Sequence, residues 1–192
     1  MNHVVSPYWV WEKELPPQIC NYIIKRSINQ EEDKWTRGIA GNDNKDDKEH
    51  RKSNVQFWNK SSASGRWSNG IFFSYILNAN NCNFDYDLSL NDHENMQVCR
   101  YVEGQFYDEH TDWSSGKMST RKLSASIQLS DEKDYEGGEL VLNLGLEGEY
   151  RCPKSQGTVL VFDSRLIHWV EPVTSGVRYS VQKWVHGDRP LR

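Results

Sequence analysis

The stretch MQVCRYVEGQFYDEHTDW, residues 96–113, is where the chain changes character. From Met96 onward apolar and polar residues alternate with a period of two. That is the repeat of an extended strand, whose successive side chains point to opposite faces. Strands are predicted over Met96–Tyr101, Phe106–Asp112, Lys122–Leu129, Glu139–Leu142, Thr158–Phe162, Leu166–Val170 and Val177–Val185, separated by turns rich in Gly, Asp, Pro and Ser. Many short strands broken by turn signals indicate a sandwich or barrel. The reading is a mainly β fold, an eight-stranded jelly roll (double-stranded β-helix) with N-terminal helices packed on one outer face. In Leu123–Ser130, Leu123, Ala125, Ile127 and Leu129 share one face and Ser124, Ser126 and Gln128 the other. A polar outer face is the simple interpretation. In a jelly roll with a polar lumen the apolar face would instead meet the helices and the polar face a pocket.

N-terminal to this stretch the chain reads as mixed helix and loop. Ile19, Cys20, Ile23, Ile24 and Ile28 form a helical stripe within Leu15–Ile28, with Pro16 and Pro17 suited to its first turn. A second helix is predicted over Asn69–Asn78, with Ile71, Phe72, Tyr75 and Ile76 on one side. The polar segment Thr36–Asn54 reads as an exposed loop, a solvated insertion or a lid over a site. Gly137-Gly138 reads as a tight turn before a strand. The expected organisation is a single domain over 1–192, with helical support over about 1–95 and the jelly-roll core over about 96–187.

Composition narrows the class. The chain has 192 residues, 26% charged and 12% aromatic, with 8 Trp, and a formal net charge of −4. The aromatic content argues against wholesale disorder, and the mild acidity against a dedicated nucleic-acid binder. Cys20, Cys82, Cys99 and Cys152 form no zinc-ligand spacing. The opening MNHVVSPYWVWEKEL has neither a basic start nor a long apolar core, and no apolar run approaches the length of a membrane span. The expectation is a cytoplasmic protein with reduced cysteines, no membrane partner and no nucleic-acid partner. Its oligomeric state is not legible.

The chemistry lies in three residues. His110 and Asp112 are two apart, so on an extended chain they point the same way and can share one metal. His168, on a separate predicted strand, would complete two histidines and one carboxylate on one face of the ion. That set leaves positions open for non-haem Fe(II) and O₂. Arg178 follows the turn Glu171–Gly176, which should fold its strand back beside that of His168. A guanidinium there can hold a carboxylate through two parallel hydrogen bonds, and Ser180, facing the same side, could add a third. A metal beside a carboxylate clamp calls for a keto-acid cosubstrate.

With these residues in place, the chain resembles the prolyl 4-hydroxylase-like branch of the 2-oxoglutarate/Fe(II) oxygenases, in its small bacterial and phage form. The resemblance is carried by QVCRYVEGQFYDEHTDW (97–113), LSASIQLSDEKDYEGGELVL (123–142) and GTVLVFDSRLIHWVEPVTSGVRYSVQKWVHG (157–187). It implies that His110, Asp112 and His168 ligate iron and that Arg178 binds the distal carboxylate of 2-oxoglutarate. It implies that Tyr101 lines the cosubstrate pocket and that Trp184 and Leu140 are pocket walls. Gln128 falls where some relatives contact that carboxylate through a tyrosine. Trp113 stands where many bacterial relatives have Asn. The implied cofactors are Fe(II), 2-oxoglutarate and O₂, with ascorbate as a further candidate. The implied reaction is hydroxylation of a C–H bond with release of succinate and CO₂, and the implied partner is a proline-containing peptide or protein. Trp35 and Arg51 are candidates to stack on the proline ring or hold peptide carbonyls. Rival readings are a hydroxylase of a free amino acid or small metabolite, a nucleic-acid demethylase and a non-catalytic jelly-roll module. The demethylases carry a second arginine where this chain has Trp184.

Overall fold

The computed structural model describes residues 6–29, 34–39 and 50–187. In chain order its elements are β1 (Tyr8–Trp11), α1 (Pro17–Asn29), β2 (Thr36–Arg37), β3 (Arg51–Lys52), β4 (Asn54–Trp58), α2 (Ala63–Ala79), β5 (Ser89–His93), β6 (Met96–Val102), β7 (Phe106–His110), β8 (Arg121–Gln128), β9 (Tyr135–Gly137), β10 (Leu140–Asn143), β11 (Glu149–Arg151), β12 (Val159–Asp163), β13 (His168–Val170) and β14 (Val173–His186). Among the described residues they form two facing sheets. The larger runs β1-β12-β8-β14-β6-β4-β2, with β5 and β9 also paired to β14, and the smaller runs β11-β10-β13-β7-β3. The four-strand runs β12-β8-β14-β6 and β11-β10-β13-β7 make up the expected jelly roll.

The alternation in β8 resolves in favour of a polar lumen. Leu123, Ala125, Ile127 and Leu129 join Cys20 and Ile23 of α1 and Phe72, Ile76 and Ala79 of α2 in one buried cluster outside the larger sheet. Burying each large aliphatic or aromatic side chain there contributes about 1.5–3 kcal/mol. A second cluster between the sheets, including Tyr101, Leu140, Leu142, Leu160, Phe162 and Val170, forms the apolar part of the lumen.

Several expectations need correction. The N-terminal part is not only helix and loop: it adds β1 and β4 to the edges of the jelly-roll run and β3 to the smaller sheet. α2 begins at Ala63, six residues before the predicted start, because Ser62 caps it by accepting from the Gly65 amide. In α1, Ile28 is exposed and Ser27 buried, since Gln56 Nε2 donates to the Ser27 carbonyl on that side. β7 stops at His110 rather than Asp112. The predicted turn after His168 does not fold β14 back beside β13. The chain crosses between sheets, and β14 pairs with β6 and β8, so Arg178 approaches His168 across the lumen rather than along a sheet. Thr36–Asn54 is not wholly an exposed loop: its described ends carry β2 and β3, and Arg51 and Ser53 are buried. Residues 40–49, the centre of the suggested lid, lie outside the described residues.

Candidate active site

His110 and His168 are cross-strand partners on β7 and β13, with ring centroids 4.1 Å apart. Each is aimed by its own backbone. His110 Nδ1 lies 2.7 Å from the Asp108 carbonyl oxygen and His168 Nδ1 2.9 Å from that of Leu166. Only an N–H can make those contacts, so both rings turn Nε2 to the lumen, the arrangement typical of metal-binding histidines. Asp112 sits just beyond β7, where Arg121 Nη1 donates to its carbonyl at 2.8 Å and the Trp113 amide donates to Ser164 at 2.9 Å. Its carboxylate oxygens lie 3.9 Å from His110 Nε2 and 3.5 Å from His168 Nε2. One ligand atom from each of the three residues falls within 4.8 Å of the others.

The electrostatics suit a cation. Burial and the neighbouring His168 push the His110 imidazole well below its usual range, so it is neutral. Burial alone would raise Asp112, but His168, His110, Arg121 and the Ser124 hydroxyl outweigh it and hold the carboxyl below its usual range. An ionised carboxylate beside a neutral imidazole is the protonation state a metal requires. Tyr107 stacks on His110 at 3.6 Å and Phe162 meets His168 edge-on at 4.7 Å, fixing both rings.

The triad opens on a cavity of about 240 Å³. A small chamber shares Ser126 and Leu140 with it and ends at Arg178. Arg178 is 2% exposed, donates from Nη1 to Ser180 Oγ at 3.1 Å, and lies 5.4 Å over the Tyr101 ring. Its Nε has no partner, and among the described residues no carboxylate pairs with it. A buried guanidinium left in that state is costly unless an anion completes it, so the residues fit a dicarboxylate cosubstrate. Gly138 permits the approach: a Cβ there would stand 3.1 Å from Arg178 Cδ, and its φ of +65° would strain a side chain.

The remaining sequence-derived residues divide. Tyr101 and Trp184 line the main cavity, and Leu140 lines both. Gln128 lines the chamber and donates from Nε2 to the Tyr135 hydroxyl at 3.0 Å. Tyr135 also stands beside Arg178. The sequence reading missed Tyr135, which reaches the chamber from β9, seven residues beyond Gln128. Trp113 is not part of the cavity wall; its Nε1 donates to the Ser119 carbonyl at 3.0 Å and ties down the following loop. Trp35 packs on Tyr179 outside the larger sheet and is not in the cavity lining. Arg51 lines the cavity.

A further missed group is Glu94. Arg121 Nε and Nη2 grip its carboxylate at 2.6 and 2.8 Å, His186 Nε2 lies 3.1 Å away, and Lys183 donates to its carbonyl. Arg121 also stacks 4.5 Å over Trp184. Burial would raise Glu94, but the hydrogen bonds from His186 and Arg121 and their charge bring it down to about 2. A depressed carboxyl contributes stability above its ordinary pKa of about 4.3 and loses it as pH falls through the folded value. The thermal midpoint of the native chain should therefore drop more steeply than that of Glu94→Gln between about pH 5 and pH 2. Parallel profiles would show that the pair contributes nothing.

Residues 96–186 match the 2OG-Fe(II) oxygenase superfamily. The matched segment carries the triad and Arg178, and its residues fit Fe(II), 2-oxoglutarate and O₂ as cofactors. The fold is of that superfamily's prolyl 4-hydroxylase-like type. The chain is 37% identical over 90 residues to a PKHD-type hydroxylase of Idiomarina loihiensis, covering 47% of this chain and 41% of that protein. It is 39% identical over 88 residues to one of Maricaulis maris, covering 46% and 40%. It thus spans less than half the length of these relatives. A prolyl-4-hydroxylase of Pseudomonas putida superposes with a TM-score of 0.75 at 18% identity, covering 95% of this chain and 94% of that one. A prolyl hydroxylase of Trichoplax adhaerens, in complex with a hypoxia inducible factor oxygen degradation domain peptide fragment, superposes with a TM-score of 0.75 at 17% identity, covering 95% and 84%. No helix among the described residues is long and apolar enough to cross a membrane.

Proposed function

We propose that this chain, acting as one oxygenase domain, hydroxylates a C–H bond of a prolyl residue in a peptide or protein, consuming 2-oxoglutarate and O₂. The observation that carries the oxygenase reading is the buried Arg178, without a carboxylate partner among the described residues, in a chamber that shares Ser126 and Leu140 with the cavity of the His110–Asp112–His168 triad. His110, Asp112 and His168 would hold Fe(II). Arg178, steadied by Ser180, would hold the distal carboxylate of 2-oxoglutarate, with Tyr101, Gln128 and Tyr135 around it. Bound iron and cosubstrate supply O₂ activation coupled to decarboxylation of 2-oxoglutarate to succinate. The chain's own residues orient both and exclude water: Phe162, Leu140 and Val170 give the cavity an apolar wall.

The prolyl assignment is supported by the named relatives and by the cavity mouth. Ile39 and Phe57 line the cavity although each is about half exposed. Two apolar side chains at an opening suit a small saturated ring entering from a peptide. The test is mass spectrometry of a proline-containing peptide library incubated with the protein, Fe(II), 2-oxoglutarate and ascorbate as reductant. The expected result is the mass gain of one oxygen atom on a proline, with stoichiometric succinate. Succinate formation stimulated by no peptide, together with stimulation by a free amino acid or small metabolite, would replace the prolyl reading.

A further inference from the structure

The chain passes from the smaller to the larger sheet within four residues: Arg51 of β3 faces Tyr107 of β7, and Asn54 of β4 faces Arg100 of β6. Arg51 is thereby drawn into the lumen and is only 6% exposed. Its Nε donates to Ser53 Oγ at 2.8 Å, Nη1 to the Ile39 carbonyl at 3.2 Å, and Nη2 to Cys99 Sγ at 3.6 Å. Its plane lies 4.3 Å over the Tyr107 ring, whose other neighbour is His110. All these partners are neutral, and among the described residues no carboxylate pairs with Arg51. Three of its five N–H groups are used in these bonds and the Tyr107 side chain takes a further hydrogen bond from Arg51, which leaves one N–H for a ligand. The seat is built closely: a Cβ on Gly38 would stand 2.5 Å from Arg51 Nε and 2.3 Å from Ser53 Oγ.

Charge counting shows what is missing. A divalent iron, the Asp112 carboxylate, a dicarboxylate cosubstrate and Arg178 sum to zero. Glu94, the other carboxylate lining the cavity, is already held by Arg121 and His186. Arg51 leaves the loaded site one positive charge in excess, and a buried excess charge is costly.

We propose that Arg51 binds a carboxylate carried by the molecule that is hydroxylated. This rests on the hydroxylase reading above. It narrows the substrate to an anionic one, with a free α-carboxylate or an acidic side chain close to the oxidised carbon. The carboxylate would form a charge-assisted hydrogen bond with the remaining N–H and an ion pair with the guanidinium, on the wall formed by Tyr107 and His110.

The experiment compares matched probes: blocked tripeptides with proline preceded or followed by Asp or Asn, a peptide ending in proline as free acid or amide, and free L-proline against prolinamide. Succinate formation and oxygen incorporation give KM and kcat. Calorimetric titration of the protein loaded with manganese and a non-reactive 2-oxoglutarate analogue gives affinity without turnover. The expected result is a KM lower for an acid than for its amide by on the order of 30-fold or more, the scale of a desolvated charged contact. That preference, read as the ratio of the amide's KM to the acid's, should collapse in Arg51→Met and partly return in Arg51→Lys. Acid and amide treated alike by the native protein, in turnover and in binding, overturn the proposal, and this comparison needs no variant. Preference for the Asp peptides identifies a side-chain carboxylate, and preference for free acids an α-carboxylate. A preference confined to free L-proline keeps the Arg51 assignment and removes the peptide reading. Peptide hydroxylation indifferent to charge keeps the peptide reading and removes the Arg51 assignment.

Discussion

Replacing His168 by alanine should abolish succinate formation, and His110→Ala should do the same. Both rings present Nε2 beside the Asp112 carboxylate, so losing either leaves two ligands where three are needed. Loss of a group that merely orients a ligand typically lowers metal affinity 10–100-fold, and loss of the ligand itself should exceed that. The informative comparison is Asp112→Ala. Asp112 is 8% exposed and contributes a charge rather than apolar contacts. Without metal, the variant should stay folded with a lower thermal midpoint, because surroundings that hold the carboxyl below its usual range draw stability from its charge. With Mn(II) at a hundred times its dissociation constant, the native chain should gain about 2.7 kcal/mol. The Asp112→Ala variant should gain much less. Near-native succinate production by either histidine variant would remove the ligand assignment.

Arg178→Ala should raise the 2-oxoglutarate requirement by the equivalent of about 2–5 kcal/mol, the cost of leaving a buried carboxylate without its partner. That corresponds to roughly 30-fold to several thousandfold in KM. Arg178→Lys should fall between, keeping the charge but losing the two-pronged geometry. Stability should move the other way. Without cosubstrate, Arg178 is a buried cation whose side-chain partners among the described residues, Ser180 and Tyr135, are neutral hydroxyls and whose Nε is unsatisfied, so the alanine variant should unfold no more readily, apart from the small cavity it leaves. An apparent 2-oxoglutarate affinity unchanged in Arg178→Ala would eliminate the clamp.

How much of this could be read from the sequence depends on the range of the interactions. The strands from Met96 onward and the apolar and polar faces of β8, both buried, are set by period-two alternation, which is local. The two-residue spacing of His110 and Asp112 is local as well. The convergence of His168 and Arg178 is not local, and the sequence carried it only through ordered motifs. The direction of approach was misread because β13 and β14 lie in different sheets, a choice made by pairing partners and not by the turn. β2 and β3 are two-residue strands, too short for any periodicity. Arg51 looked like surface because RKS is hydrophilic; its burial depends on Gly38 and Tyr107, neither adjacent in sequence. Tyr135 was hidden in the polar run DEKDYEGG, where only the glycines announced a close approach of chains. The run YWVW in β1 did carry a legible signal, since aromatic and β-branched residues favour strands.

β14 has a consequence for how such a site can diversify. Arg178, Ser180, Gln182, Trp184 and His186 are spaced two apart along it, each roughly 6.5–7 Å from the next on one face. Arg178 lines the chamber proposed for the cosubstrate, Gln182 and Trp184 line the main cavity, and His186 braces Glu94. The strand is a ruler on which both ends of the reaction are marked. Point changes at Gln182 or Trp184 can recut the substrate end without moving the anion end. A one-residue deletion between Ser180 and Trp184, with Arg178 held in place, would turn Val185, now packed toward the helices, against the polar lumen and send Trp184 and His186 into the apolar layer. Diversification here is therefore restricted to changing letters at fixed length, and variation in length is left to the loops between strands, such as the one spanning 114–120.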